Sequence, residues 1–137
     1  MKKEFCLSKL LGVLIHIEPF YAHISRMVVK VPTRSVKTAG VFIDNRGYYV
    51  LHYNPDFFSS LSKEQAIAVA VHEFSHILHG HLTVRKPTWA ETDAKRFEKW
   101  NVAMDLAINC FINDLPEGVC VPGEGPFRNM PKYLSSE

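Results

Sequence analysis

Cysteine is scarce: Cys6, Cys110 and Cys120 are the only three in 137 residues. The count is odd and no pair is spaced as CxxC, which argues against a disulfide framework and a cysteine-built zinc knuckle. Three reduced thiols are the expected state, and with them a cytoplasmic location. An excess of one charge is also missing. Lys and Arg number 16 against 14 Asp and Glu, a net charge of +2. The basic residues are scattered, with the densest stretch, Lys2-Lys3, at the terminus. Such a balance gives no field for nucleic acid or an anionic membrane. No apolar run is long enough to span a bilayer. Leu10 to Ile15 is apolar, but it is short, Lys9 precedes it directly, and no small-residue cleavage site follows. It reads as part of a core helix rather than a signal peptide. Repeats and low-complexity tracts are absent as well.

Apolar residues make up 47% of the chain, enough for a core without covalent staples. The length fits one domain spanning residues 1–137. Residues 3–17 carry Phe5, Leu10, Leu11, Leu14 and Ile17 at helical spacing, and Pro19 ends or kinks that helix. A second helical piece follows from Phe20 to Met27. Val28 to Val31 then reads as a short strand stopped by Pro32. Ala39–Ile43 and Tyr48–Tyr53 are rich in β-branched and aromatic residues and flank Asp44-Asn45-Arg46-Gly47, which predicts a hairpin. Asn54-Pro55-Asp56 ends its second strand. Ser62-Lys63-Glu64-Gln65 is a capping box. The helix it opens runs into His72-Glu73-Phe74-Ser75-His76 and stops at Gly80. Arg85 to Pro87 is a loop, and a long helix is expected from Ala90 to Asp114. Beyond Pro116, proline and glycine recur and periodicity fades, as in an extended tail. The expected fold class is α+β, with helices packed on a small antiparallel sheet and a central helix bearing the motif.

His72-Glu73-Phe74-Ser75-His76 has the HExxH pattern, and its spacing has a mechanical reason. Helical residues four apart lie about 40° apart on the wheel and one turn along the axis. Two imidazoles so placed can reach one ion at the roughly 2 Å that zinc prefers. Glu73 is about 100° round from His72. From there it reaches a water beside the metal, which is the general-base position. Ile67, Val71, Phe74 and Leu78 occupy another face. A solvated polar face without metal is the bland alternative, but two histidines and an ionisable Glu within two turns are costly to bury unpaired.

A catalytic zinc needs a third protein ligand and an open position. Asp105 is the preferred candidate. It lies on the next long helix among Ala103, Met104, Ile108 and Ile112, with Asn101 and Asn109 four residues to either side. A buried hydrogen-bond network is the alternative for that trio. His81 is the rival ligand. Nine residues after His72, it points about 180° away on a continuous helix, so only a chain reversal at Gly80 could bring it back. His79 shares the His72/His76 stripe, but three ligands from one short helical stretch would be strained.

The order Thr38-Ala39-Gly40, Tyr49, Asn54-Pro55-Asp56-Phe57, Leu61-Ser62, HExxH with Gly80-His81, then Trp100-Asn101-Val102-Ala103-Met104-Asp105 and Asn109, resembles the bacterial and phage "putative metallopeptidase domain" family. The resemblance covers roughly residues 35–137. It implies a zincin-like fold and Zn2+, with His72 and His76 as ligands and Glu73 as the catalytic base. Members are often joined to a C-terminal von Willebrand factor A-like domain. None follows here, and Ser135-Ser136-Glu137 reads as the start of another capped helix, so a truncated end or a short phage-type form is expected. In gluzincins the downstream helix supplies a Glu ligand with an Asp four residues later. Laid on this chain, that pattern would put Asn101 at the ligand position. Asn is a poor zinc ligand, so Asp105 itself is favoured, as in aspzincins.

These residues lead to an expectation of zinc-dependent hydrolysis of a peptide bond in a peptide or protein substrate. Tyr49, His52, Tyr53 and Arg85 are candidate donors to the developing oxyanion. The substrate is expected to lie along the edge of the Tyr48–Tyr53 strand by strand addition. Two rivals remain open. One is a peptidase acting on a single regulatory protein, resembling the phage repressor-cleaving peptidases that carry HExxH. The other is a non-catalytic zincin-fold module that binds a protein partner, against which the intact Glu73 argues.

Overall fold

Leu7, Leu10 and Leu14 repeat at the helical period and are buried, which makes helix α1 (Leu7–Ile17) amphipathic. Glu18 ends α1, its backbone N–H donating to the Leu14 carbonyl at 2.8 Å. Pro19 then occupies the first position of α2 (Pro19–Ser25), where its missing N–H costs nothing. The computed structural model describes residues 5–134. Residues 3 and 4 of the expected first helix, and the capped end expected at 135–137, lie outside that range. The described chain forms an α+β arrangement in two compact units, Met1–Phe74 and Ser75–Glu137.

The first unit holds a three-stranded sheet of β1 (Val28–Pro32), β2 (Ala39–Ile43) and β3 (Tyr49–Tyr53), in the order β1-β3-β2. The hairpin is as the sequence predicts, with β2 antiparallel to β3 and Ala39 opposite Tyr53. Asp44 builds its turn, accepting from the amides of Arg46 at 2.9 Å and Tyr48 at 3.0 Å. Gly47 supplies the φ of +86° that this turn requires.

The expectation of a purely antiparallel sheet is corrected here. β1 runs parallel to β3, with Val28 opposite Tyr49, so the sheet is mixed. Parallel neighbours need a long connection, and the stretch between Pro32 and Tyr49 supplies one that contains β2 itself. β3 buries Val50, Leu51 and Tyr53, with consecutive residues on opposite faces, as expected of a strand covered on both sides.

Asn54 ends β3 and also starts a helix that the sequence reading left out, α3 (Pro55–Ser60). Its side chain accepts from the Asp56 amide at 3.0 Å and donates to the Val36 carbonyl at 2.9 Å. Asn before Pro is an N-cap followed by a first-turn proline, so the signal was present. Phe58 of α3 stacks its ring on Phe5 at 5.0 Å and meets Tyr53 edge-on at 5.9 Å.

Helix α4 (Lys63–Leu78) begins at the predicted capping box. The Gln65 amide donates to Ser62 Oγ and the Ser62 amide to Gln65 Oε1, both at 3.1 Å. Every residue from Ala68 to Val71 is buried, as are Glu73, Phe74 and Ser75. The expected apolar face is corrected at one end, because Leu78 lies 46% exposed. The division between the two units falls inside this continuous helix.

Gly80 stops α4 as expected. Its amide donates to the Ile77 carbonyl at 3.0 Å, and that of His81 reaches back to the His76 carbonyl at 3.1 Å. This pair of bonds is the Schellman arrangement, and Gly80 supplies its left-handed residue with φ +69°. A Cβ at Gly80 would lie 2.8 Å from Val84 Cγ2, but Val84 is 91% exposed and free to turn away. The left-handed backbone therefore sets the cost, and Gly80→Ala should destabilise the metal-free protein by about 1–2 kcal/mol. Urea denaturation at neutral pH measures this, and an unchanged midpoint would contradict the assignment.

In the second unit, α5 spans Ala94–Asn109, shorter at both ends than the expected Ala90–Asp114. Asp93 caps its N-terminus, accepting from the Arg96 amide at 3.1 Å. At the other end Asp114 adopts a φ of +63°, which a helix cannot contain. Trp100, Met104, Leu106, Ala107 and Ile108 form the buried side of α5. The tail that follows is mostly turns, with one 3-10 turn at Gly125–Phe127.

Candidate metal centre

His76 leaves the last turn of α4, and Asp105 sits one turn before the end of α5. His76 Nε2 and Asp105 Oδ1 are 3.5 Å apart. That is long for a hydrogen bond. It is close to the roughly 3.3 Å that separates two ligands of a tetrahedral ion with bonds near 2 Å. His72 precedes His76 by one turn of the same helix. One ligand atom from each of His72, His76 and Asp105 lies within 4.8 Å of the others. Two imidazole nitrogens and one carboxylate oxygen, with no thiolate, suit a borderline divalent cation such as zinc. Three such groups would leave a coordination position open on a tetrahedral ion, as at catalytic rather than structural sites.

Glu73 shares α4 with both histidines and is only 7% exposed. Asp105 is partly exposed, which leaves its side of the cluster open to solvent.

His81 does come back through the reversal at Gly80, but it arrives beside His76 rather than in the ligand set. Its Nδ1 lies 3.1 Å from His76 Nδ1. The ring is 2% exposed, with the Trp100 ring edge-on at 5.8 Å and His79 at 5.5 Å. Burial, then the neighbouring charges of His76, His79 and Arg85, push the His81 pKa down to about 4, against a smaller opposing effect of Asp105. His81 is therefore neutral at pH 7. Burial also lowers His79, helped by Arg85 and His76.

The two asparagines that flank Asp105 in sequence part company. Asn101 is exposed, whereas Asn109 is buried and its amide donates to the Cys120 carbonyl at 2.8 Å. That bond ties the tail to α5. It also brings Cys120 close enough for the Asp105 charge to act on its thiol, whose pKa is raised by burial first and by Asp105 second. Sequence reading did not associate Cys120 with the site, and it has no spacing signal because it arrives through tertiary packing. Trp100 was read only as the start of the string that carries Asp105, and its contact with His81 is likewise tertiary. The three cysteines are free thiols. Among the described residues no helix is long and apolar enough to cross a membrane.

The candidate oxyanion donors also separate. Tyr49, His52 and Tyr53 lie on β3 in the first unit. Tyr53 is buried against Phe5 and Phe58, and His52 meets Phe42 edge-on at 4.8 Å. Arg85 is exposed in the second unit, and its charge acts on both His79 and His81. The expected substrate edge is overturned. β3 is the middle strand, paired on both sides, so it offers no free edge for strand addition.

The chain belongs to the family described as "Putative metallopeptidase domain", whose family model matches residues 6–125. It is also 30% identical over 115 residues to a Thermotoga maritima protein described as "Uncharacterized protein". That alignment covers 84% of this chain and 28% of the relative, so the chain spans little more than a quarter of the relative's length. No solved structure matches the chain.

Proposed function

We propose that this chain is a zincin-like metallopeptidase domain that hydrolyses a peptide bond, with zinc held by His72, His76 and Asp105. The observation that carries this reading is the convergence of the HExxH histidines with the Asp105 carboxylate, with Glu73 in the same helical turn. Bound there, zinc would supply Lewis-acid polarisation of a water and of the scissile carbonyl. Glu73 takes the proton from the attacking water and delivers it to the leaving nitrogen. Burial in α4 restricts the carboxylate to few rotamers, which holds it ready for that transfer. Arg85, exposed, cationic and near enough for its charge to act on His79 and His81, is the candidate we favour as donor to the oxyanion. An extended substrate would add to an outer strand, and β2 suits this better than β1, which ends in Pro32 and lacks that amide.

Metal content tests the reading directly. Protein purified without chelator should hold close to one zinc per chain by elemental analysis. Well under half an equivalent, with no uptake on adding zinc, overturns the proposal.

A further inference from the structure

We infer that His81 is a positioning residue for His76, accepting a hydrogen bond from its Nδ1–H and so presenting its Nε2 to the metal. This rests on the reading above, in which His76 is a ligand. His76, His81 and Asp105 all belong to the second unit.

The two nitrogens of His76 face different neighbours. Nε2 is the atom near Asp105, at 3.5 Å, and Nδ1 is the atom near His81, at 3.1 Å. An imidazole that gives one nitrogen to a cation carries its proton on the other. His76 must then donate from Nδ1, and His81 Nδ1 must accept. His81 is consequently the tautomer protonated on Nε2. Metal-bound histidines commonly donate their second N–H to a carboxylate, backbone carbonyl or water. Here a second imidazole is the acceptor.

Backbone geometry makes the contact. In a Schellman ending, the residue after the left-handed glycine returns to the residue five positions earlier, and an apolar pair commonly meets there. In this chain those two positions are His81 and His76, and the same pair is joined by a backbone bond of 3.1 Å. The Trp100 ring closes against His81, which is almost wholly buried, so the acceptor has little freedom to turn.

Two substitutions separate this role from simple packing. His81→Phe keeps the ring and removes the acceptor, whereas His81→Asn places an oxygen near the Nδ1 position. Zinc affinity is measured at neutral pH by competition with a chromophoric chelator, and metal-free stability by urea denaturation. We expect His81→Phe to bind zinc about 10- to 100-fold more weakly, with His81→Asn recovering most of that loss whatever the two stabilities are. Long-range proton–nitrogen spectra of the zinc-loaded wild type should show His81 unprotonated at Nδ1 and protonated at Nε2. Wild-type affinity in His81→Phe, or a protonated Nδ1 on His81, overturns the inference alone. Should His81→Phe not fold, the ring spectrum of the wild type decides. A wild-type protein that takes up no zinc overturns the proposed function and this inference together.

Discussion

Glu73→Gln should retain zinc and the fold while hydrolysis falls by about two to four powers of ten. The substitution is nearly isosteric, so the buried site on α4 keeps its volume and Phe74 and Val71 keep their packing. What is lost is the ability to accept a proton, because an amide oxygen is far less basic than a carboxylate. Turnover of a fluorescently labelled unfolded protein by wild type and variant, at matched zinc content, reads the effect. Equal rates would mean that Glu73 is not the base and that the mechanism fails. Zinc lost with the activity would instead make Glu73 part of the metal's support.

Asp105→Ala should weaken zinc binding by more than about 100-fold, beyond the range expected when only an orienting group is lost. In the proposed site the carboxylate is one of three ligands, and removing it would leave two imidazoles from one helix. Asp105→Asn separates charge from shape, since the amide fills the space but is a poor ligand. Its affinity should fall nearly as far as that of Asp105→Ala. The comparison with His81→Ala is decisive for the ligand set. If His81→Ala abolishes binding while Asp105→Ala leaves it within tenfold of wild type, the site closes through the Gly80 turn and α5 plays no direct part.

Local chemistry was the legible part of this chain. The capping box at Ser62, the hairpin turn at Asp44, the stop at Gly80 and the HExxH spacing each act over a few residues, so the sequence displays them directly. Asp105 could be singled out because a carboxylate between two asparagines on an apolar helix is unusual. The failures share a different cause. The parallel pairing of β1 with β3 depends on which edge of the hairpin is left open, and nothing within either strand records that choice. The substrate edge was misplaced for the same reason, since it assumed that the strand nearest the metal helix in sequence lay at the border of the sheet. Helix α5 was drawn too long because apolar residues continue past Asn109, although the backbone turns at Asp114. His81 was weighed only as a rival ligand returned by a reversal at Gly80; the reversal exists, but it sets the ring beside His76 Nδ1 at 3.1 Å, a pairing no spacing records.

That last geometry imposes a rule on length. Between His76 and His81 the chain has four residues, and the return bond exists only at that count. One residue more or fewer would carry a different side chain back to His76 and leave the imidazole of His81 elsewhere. The segment just beyond folds back on the same glycine, the amides of Thr83 and Arg85 reaching the Gly80 carbonyl at 3.1 and 3.0 Å. Relatives of this chain should therefore hardly vary in length between these two histidines. The string of a ligand histidine, three residues, glycine and histidine becomes a unit that can be sought in sequences where the motif alone is ambiguous.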